Sequence, residues 1–343
     1  MKKLQPTEYM YASARIRALE NRLVGRERTD ILVESKTSEE VMNKLAEYGI
    51  SPAEEDSVTV SSGEKVTRQR EAMLLDILQE AYREISASVP EPSVYAWFRY
   101  PYDCNNIKTV IKCQIRGLDP SDMLFDFGTV SAEATKQLLL EGKYDAFPPA
   151  MAAGASLARE TFAKTGDPQQ IDAILDKACY RDMLACAQDA GCDTMLSWLK
   201  AKVDLVNIMI ALRILRMNRG EMGKIFMDES LLPGGQLPLA FFDEIYDGGE
   251  EALWSGLSAS DYSAFAHRVE GTDRSLAVIE KCADDHWMRL IREGARVPFG
   301  AEVAGGYLVG VEVSVKNIRI ILAAKDAGLS SDVLRERIRE SYV

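Results

Sequence analysis

Three stretches of similar sequence decide the fold: Asp103-Cys-Asn-Asn106-Ile-Lys108, Asp204-Leu-Val-Asn207-Ile-Met209 and Ser314-Val-Lys-Asn317-Ile-Arg319. Their asparagines are 101 and then 110 residues apart, so one plan is used three times. This spacing predicts three similar helical units, which we expect at residues 1–118, 119–220 and 221–343. A chain built by tripling one unit is more typical of a shaped scaffold than of an enzyme with a single pocket.

Helical periodicity dominates the rest of the chain, and no alternating apolar and polar run is long enough for a sheet. We therefore expect an all-α protein. A long helix is predicted at 66–87, and polar residues at 51–65 indicate a loop or a brief edge strand. Glycine and proline predict loops at 232–238 and 298–306. Helix N-caps are predicted at Thr37, Asp119, Ser131, Asp167, Ser260, Thr272 and Ser330.

The composition and charge are those of a folded protein with an acidic surface. Of the 343 residues, 47% are hydrophobic and 27% are charged, and the net charge is −12. Phosphate-binding surfaces need a cationic excess, so we expect no nucleic-acid partner. The same charge disfavours adhesion to anionic lipid, and we expect no direct lipid insertion.

The sequence contains no stretch near 18 consecutive apolar residues, and Gln5, Thr7 and Glu8 interrupt any apolar segment after the first lysines. We therefore expect a cytoplasmic protein. Its six cysteines form no CxxC pair. Cys179 and Cys186 are seven apart on one helix face, which allows a metal half-site, but free thiols are the interpretation we favour, and we expect no metal and no cofactor.

Each repeated helix combines an apolar stripe with a cationic one. In the first copy, Ile107, Ile111 and Ile115 are four residues apart, and the bases follow the same spacing one residue later. Two interpretations stay open: the bases line the solvated edge of an amphipathic helix, or three cationic stripes meet an acidic partner. The candidate partner-contact residues are Lys108, Lys112, Arg116, Arg213, Arg216 and Arg319.

The polar residues of the repeated stretch suggest a local role. An Asp or Ser three residues before the asparagine is expected near the helix start, where a short side chain accepts from free backbone amides. The asparagine itself is expected to form hydrogen bonds between neighbouring helices or units.

Motifs typical of catalysis are weak in this chain. Asp284-Asp285-His286 resembles the start of an acidic metal motif, but Met288 stands where a further carboxylate is needed. These aspartates are better explained as a solvated helix face. No HExxH, GxSxG or Walker A sequence occurs, and the chain has only two histidines. We expect no catalytic residues.

Several stretches resemble the C subunit of rotary V/A-type ATPases (ATP synthases), the prokaryotic relative of the eukaryotic d subunit. They are Tyr9-Met-Tyr11-Ala-Ser-Ala14-Arg15-Ile-Arg17, Arg28-Thr-Asp30-Ile-Leu32 with the helix at 39–48, and the three Asn-Ile helices. The resemblance covers essentially the whole chain. One departure is Met209, where the other two copies have a base.

The resemblance implies an all-helical funnel of three units with pseudo-threefold shape and a central cavity. Such a protein is not an enzyme and has no cofactor. It is the socket between the central-shaft subunits and the cytoplasmic face of the membrane proteolipid ring, and it transmits torque between ATP turnover and proton or sodium transport. It is peripheral to the membrane through the ring.

Two other functions are compatible with a helical chain. A helical protein-interaction scaffold unrelated to rotary ATPases predicts the same fold without affinity for shaft or ring. An all-helical enzyme using Asp284 and Asp285 predicts a bound divalent ion.

Overall fold

The structure, a computed structural model, describes residues 5–52, 62–217 and 220–343. Every regular element in these residues is helical, as predicted. Short 3-10 helices lie at Pro6–Tyr9, Pro92–Phe98 and Ser121–Met123. The α-helices are α1 (Met10–Glu20), α2 (Arg26–Glu34), α3 (Ser38–Glu47), α4 (Ser62–Ser88), α5 (Tyr100–Arg116), α6 (Ala132–Leu140), α7 (Pro149–Thr165), α8 (Pro168–Ala190), α9 (Asp193–Met217), α10 (Glu221–Ser230), α11 (Leu239–Ser258, kinked at Gly249), α12 (Ser263–Glu270), α13 (Leu276–Gly294), α14 (Ala301–Asp326) and α15 (Ser331–Arg335).

The chain divides into two compact units. The described part of the first is 93–217 and 220–267, and that of the second is 5–52, 62–92 and 268–343. The repeated helices are α5 and α9 in the first unit and α14 in the second. The division into three similar units around a cavity stays a prediction.

In the first unit, α8 lies at the centre and packs against α5, α7 and α9. The repeated helices contribute their apolar stripes to this core. Ile107 and Ile111 of α5 are at most 1% exposed, as are Ile208 and Leu212 of α9. Burying a side chain of this size stabilises the fold by about 1.5–3 kcal/mol.

In the second unit, α14 is the central helix and packs against α1, α2, α3, α4 and α13. Its first turns were predicted to be a loop, and that prediction is wrong because α14 begins at Ala301. Gly306 and Gly310 give the helix a flat surface on which the Tyr342 ring packs. A Cβ atom at Gly310 would lie 2.9 Å from three Tyr342 carbons. Tertiary packing therefore outweighs the low helix propensity of glycine.

Four of the seven predicted N-caps are confirmed, whereas Asp119 is not a cap because Pro120 precedes the short helix at Ser121–Met123. Side chains at four predicted N-caps accept from the expected backbone amides: Thr37 from Glu40, Ser131 from Ala134, Asp167 from Gln169 and Ser330 from Val333. Thr272 is not a cap, because Arg274 adopts a positive φ of 53° and α13 starts only after Ser275, which is its N-cap. The long predicted helix is α4, but it begins at Ser62, so the prediction of a loop is wrong for residues 62–65. Residues 53–61 of the predicted polar loop lie outside the described residues.

Candidate functional site: the repeated helices and the segments after them

Each repeated asparagine binds the main chain of one residue beyond its own helix. Asn106 donates to the Phe125 carbonyl at 2.8 Å and accepts from the Phe125 amide at 2.9 Å. Asn207 makes the same pair of bonds with Leu232, both at 2.8 Å. Asn317 makes it with Arg339, both at 3.0 Å. The repeated asparagine in the sequence therefore corresponds to a repeated pair of hydrogen bonds, which join each helix to the backbone of the segment that follows it.

Two of the preceding polar residues strengthen this link. Asp103 accepts from the amides of Thr129 (3.0 Å) and Val130 (3.1 Å). Burial raises the pKa of Asp103, and these hydrogen bonds, which favour the carboxylate, only partly offset that rise. The carboxylate is therefore a buried acceptor that fixes the loop before α6.

Asp204 does the same in the second copy. It accepts from the amides of Gln236 (2.9 Å) and Leu237 (3.1 Å) and from the Tyr262 hydroxyl (2.6 Å). Burial raises the pKa of Asp204, and the hydrogen bond from Tyr262, which lowers the pKa, only partly offsets that rise. We call each repeated asparagine, together with its preceding Asp or Ser and the backbone groups they bind, a latch.

The prediction that the Asp or Ser lies near the helix start is wrong for two copies. Asp103 is in the first turn of α5, but Asp204 and Ser314 lie in the middle of α9 and α14. Ser314 donates to the Gly310 carbonyl of its own helix at 2.8 Å. The long helices continue through the repeated stretch because the residues before it also pack in the core.

Two glycines complete the latches and were not singled out in the sequence. A Cβ atom at Gly128 would overlap Oδ1 of Asp103, and one at Gly235 would overlap Oδ1 of Asp204. The backbone can approach the carboxylates this closely only where no side chain intervenes. A glycine 25 residues after the first Asp and 31 after the second is the signal in the sequence that marks them.

Most of the candidate cations bind acidic side chains of this chain. In the first unit, Lys108 lies 2.5 Å from Asp176 and Lys112 lies 2.6 Å from Asp172, which joins α5 to α8. The remaining cation of α5, Arg116, is exposed in the last turn of the helix and makes no ion pair or hydrogen bond within the described residues.

The other candidates lie on α9 and α14. Arg216 is 2.7 Å from Glu250 within the first unit, and Arg319 is 2.8 Å from Glu71 within the second. Arg213 is exposed on α9. Exposed ion pairs of this kind contribute little stability, with a median of about 0–1 kcal/mol. They do, however, occupy cations that an acidic partner would otherwise meet.

The two neighbouring aspartates of α13, Asp284 and Asp285, form ion pairs and hydrogen bonds within the chain. Asp284 lies 2.5 Å from Lys316 and 3.1 Å from Arg339. Asp285 binds Lys281 at 2.6 Å and accepts from the Glu340 amide at 2.7 Å. The prediction of a solvated face is wrong for Asp285, which is only 3% exposed. The two carboxylates are committed to different partners, and no group of three or more metal-ligating side chains is found in the described residues.

All six cysteines are free thiols, as favoured from the sequence. Among residues 5–52, 62–217 and 220–343, no helix combines the length and apolar character needed to cross a bilayer.

Comparison with known proteins places this arrangement in a family. The model of the ATP synthase (C/AC39) subunit family matches residues 12–337. The C subunit of the A-type ATP synthase of Thermococcus kodakarensis is 25% identical, with 97% of this chain and 91% of the relative covered. The C subunit of the V-type sodium ATPase of Enterococcus hirae is 23% identical over 79% of this chain and 82% of the relative. The C subunit of the A-type ATP synthase of Methanocaldococcus jannaschii is 24% identical over 95% and 85%.

The class defined by these matches is that of the structural, non-catalytic subunits of rotary ATPases. The chain belongs to the ATP synthase (C/AC39) subunit family. The resemblance inferred from the sequence is confirmed, and neither an unrelated scaffold nor an enzyme is supported.

Proposed function

We propose that the chain is the central-stalk subunit that joins the shaft of a V/A-type rotary ATPase to its membrane proteolipid ring and passes torque between them. The observation that carries the proposal is the family match over residues 12–337, which leaves no room for a separate catalytic domain within that span. In this proposal the protein is cytoplasmic and is held at the membrane by the ring. Its three repeated helices belong to a pseudo-threefold funnel whose cavity receives the shaft.

The hydrogen bonds between the helices and the segments after them suit a protein that must transmit force. A coupling part must transmit force with little internal slack, and close-packed cores have low compressibility. The latches add direct bonds from a helix to the segment after it, at Asn207 and Leu232 for example. A load applied to such a segment is thereby passed to a buried helix.

The ion pairs within the chain reduce the number of cations that are candidates for contacting the shaft. Lys108, Lys112, Arg216 and Arg319 already bind acidic groups of this chain. We therefore centre the proposed contact on Arg116, at the exposed end of α5.

The test is assembly. The tagged chain is produced with the shaft subunits and the membrane ring of the same rotary ATPase and purified in detergent. We expect both partners to co-purify, and we expect the complex lacking this chain to lose coupling between ATP turnover and ion transport. Recovery of the chain without either partner, or full coupling in its absence, would refute the proposal.

A further inference from the structure

The second unit contains a cavity of about 300 Å³ between α1, the end of α3, α4 and α14. All of its lining residues belong to this one unit and are among the described residues. Its inner wall is apolar and includes Leu19, Leu23, Ile77, Ala81, Val311 and Ile318. Cavities that bind small molecules have volumes from about 300 Å³ upward and combine such a wall with a few polar groups.

Tyr307 of α14 supplies a buried hydroxyl that no protein group uses. The residue lines the cavity and is only 7% exposed, and its hydroxyl makes no hydrogen bond with the described residues. Burial and the carboxylates of Glu84 and Glu80 raise the pKa of Tyr307 to about 12, so the phenol stays neutral at physiological pH. The influence of these two lining carboxylates shows that the hydroxyl lies on the charged side of the cavity. A buried hydroxyl without a partner is unfavourable, and a ligand in the cavity would supply that partner.

The charged side chains at the mouth of the cavity are mainly acidic. α4 contributes Asp76, Glu80 and Glu84, which are four residues apart and therefore follow one face of the helix. Arg22 is the one cation among the lining residues, and it forms no ion pair with these carboxylates. Arg22, Asp76 and Glu80 are exposed, which places them where the cavity meets solvent. Three carboxylates against one cation favour a positively charged ligand.

One of the three carboxylates is not engaged by the protein. Glu84 lies 2.5 Å from Arg15. Glu80 lies 2.7 Å from Arg83, in a pair whose side chains are both exposed and which is therefore weak. Asp76 makes no ion pair and no hydrogen bond with its side chain in the part of the chain that the structure describes. Asp76 is thus available to bind a cation, with Glu80 one helical turn away.

We propose that this cavity is a binding site for a small organic ammonium ion with an apolar body. The apolar body lies against the inner wall, the ammonium group lies against Asp76, and the Tyr307 hydroxyl accepts one of its hydrogen bonds. An anion of the same shape would meet three carboxylates, and a neutral molecule would leave Asp76 without a counter-charge. The inference goes beyond the proposed function and does not depend on it, because a site inside one unit needs neither shaft nor ring.

The experiment compares three probes that share one apolar body and differ in charge: hexylammonium, hexan-1-ol and hexanoate. Each is titrated into the full chain at pH 7, and its affinity is measured by ligand-detected NMR. We expect hexylammonium to bind about tenfold more tightly than hexan-1-ol, because a charge-assisted hydrogen bond replaces a neutral one. Hexanoate is expected to bind most weakly.

Two variants test the polar groups one at a time. Asp76→Asn keeps the shape of the side chain and removes its charge, and it should weaken hexylammonium binding by about fivefold to tenfold without changing the affinity for hexan-1-ol. Tyr307→Phe keeps the ring and removes the hydroxyl, and it should weaken hexylammonium binding by about threefold. Glu39→Gln is the matched control, since it neutralises an exposed carboxylate of the same unit outside the cavity. This control should bind all three probes as the unmodified chain does.

Several results would overturn the inference. They are a chain that does not bind hexylammonium, a hexylammonium affinity no higher than that for hexan-1-ol, and an affinity for hexylammonium that stays unchanged in Asp76→Asn or in Tyr307→Phe. An equal loss in Glu39→Gln and Asp76→Asn would also overturn it, since the effect would then come from total charge. Ile77→Trp fills the apolar part of the cavity and should weaken all three probes, and unchanged binding there would place the probes elsewhere. Unfolding curves of each variant show that a lost affinity is not a lost fold.

Discussion

Asn207 has both polar ends of its amide satisfied by the main chain of Leu232, and it is only 1% exposed. Asn207→Ala leaves the Leu232 amide and carbonyl buried without their partner, which costs roughly 1–3 kcal/mol of unfolding free energy. The measurement is denaturant unfolding together with hydrogen exchange at the Leu232 amide, which should lose protection. Asn21→Ala, at an exposed position, is the control and should change stability by no more than about 0.5 kcal/mol.

Gly235 lies against the Asp204 carboxylate in a space that has no room for a Cβ atom. Gly235→Ala should therefore lower the unfolding free energy by about 1–3 kcal/mol, because the latch must open or the backbone must shift. Gly271→Ala is the matched control, since a Cβ atom there meets nothing within 4 Å. Equal stabilities of the two variants in denaturant unfolding would contradict this account of the latch.

The C-terminal segment is an element fixed by charge. Glu340 binds Arg289 and Arg292 of α13 and lies 3.2 Å from Arg268 of α12. Burial alone would raise the pKa of Glu340, but the arginines outweigh it and lower the pKa below its usual 4.5. A carboxyl whose pKa is lowered on folding stabilises the folded state above its unfolded pKa. That contribution is lost as the pH falls through the folded pKa.

Glu340→Gln should therefore be less stable than the unmodified chain at pH 7. The difference should shrink as the pH is lowered from about 4.5 toward 3. Unfolding free energies of both proteins across this range measure it. A difference that stays constant over the whole range would show that the charge of Glu340 is not what holds the segment.

At the scale of helices and loops, the sequence predicted features that depend on nearby residues and missed those that depend on distant ones. Apolar periodicity and capping residues act within a few residues, and they predicted the helices and caps such as Thr37 and Ser131 correctly. The helical start of α14 was missed because Gly306 and Gly310 serve packing against Tyr342, more than 30 residues away. The role of Asp204 was missed for the same reason, since the amides that donate to it are 32 and 33 residues further on.

At the scale of the whole molecule, charge reversal tests the proposed shaft contact. Arg116→Glu should weaken binding of the shaft subunits by about threefold to tenfold, because an acidic partner would lose an attraction and meet a repulsion. Lys164→Glu is closely matched, since Lys164 is also exposed in the last turn of a 17-residue helix of the same unit. Pull-down with purified shaft subunits measures both variants, and equal binding would remove Arg116 from the contact.

The candidate site was only partly predictable at this scale. The repeat, the family and the cationic stripes were visible in the sequence. The pairing of Lys108 and Lys112 with Asp176 and Asp172 was not, because it depends on how α8 packs beside α5.

The asparagine latches recognise peptide groups and ignore side chains, and this has a consequence for how such chains diverge. The three bound residues are Phe125, Leu232 and Arg339, an aromatic, an aliphatic and a cation. Any residue with a backbone N–H satisfies the asparagine, so only proline is forbidden at these positions. Substitution there, and insertion upstream of it, can alter what the protein offers its neighbours while the helices keep their register.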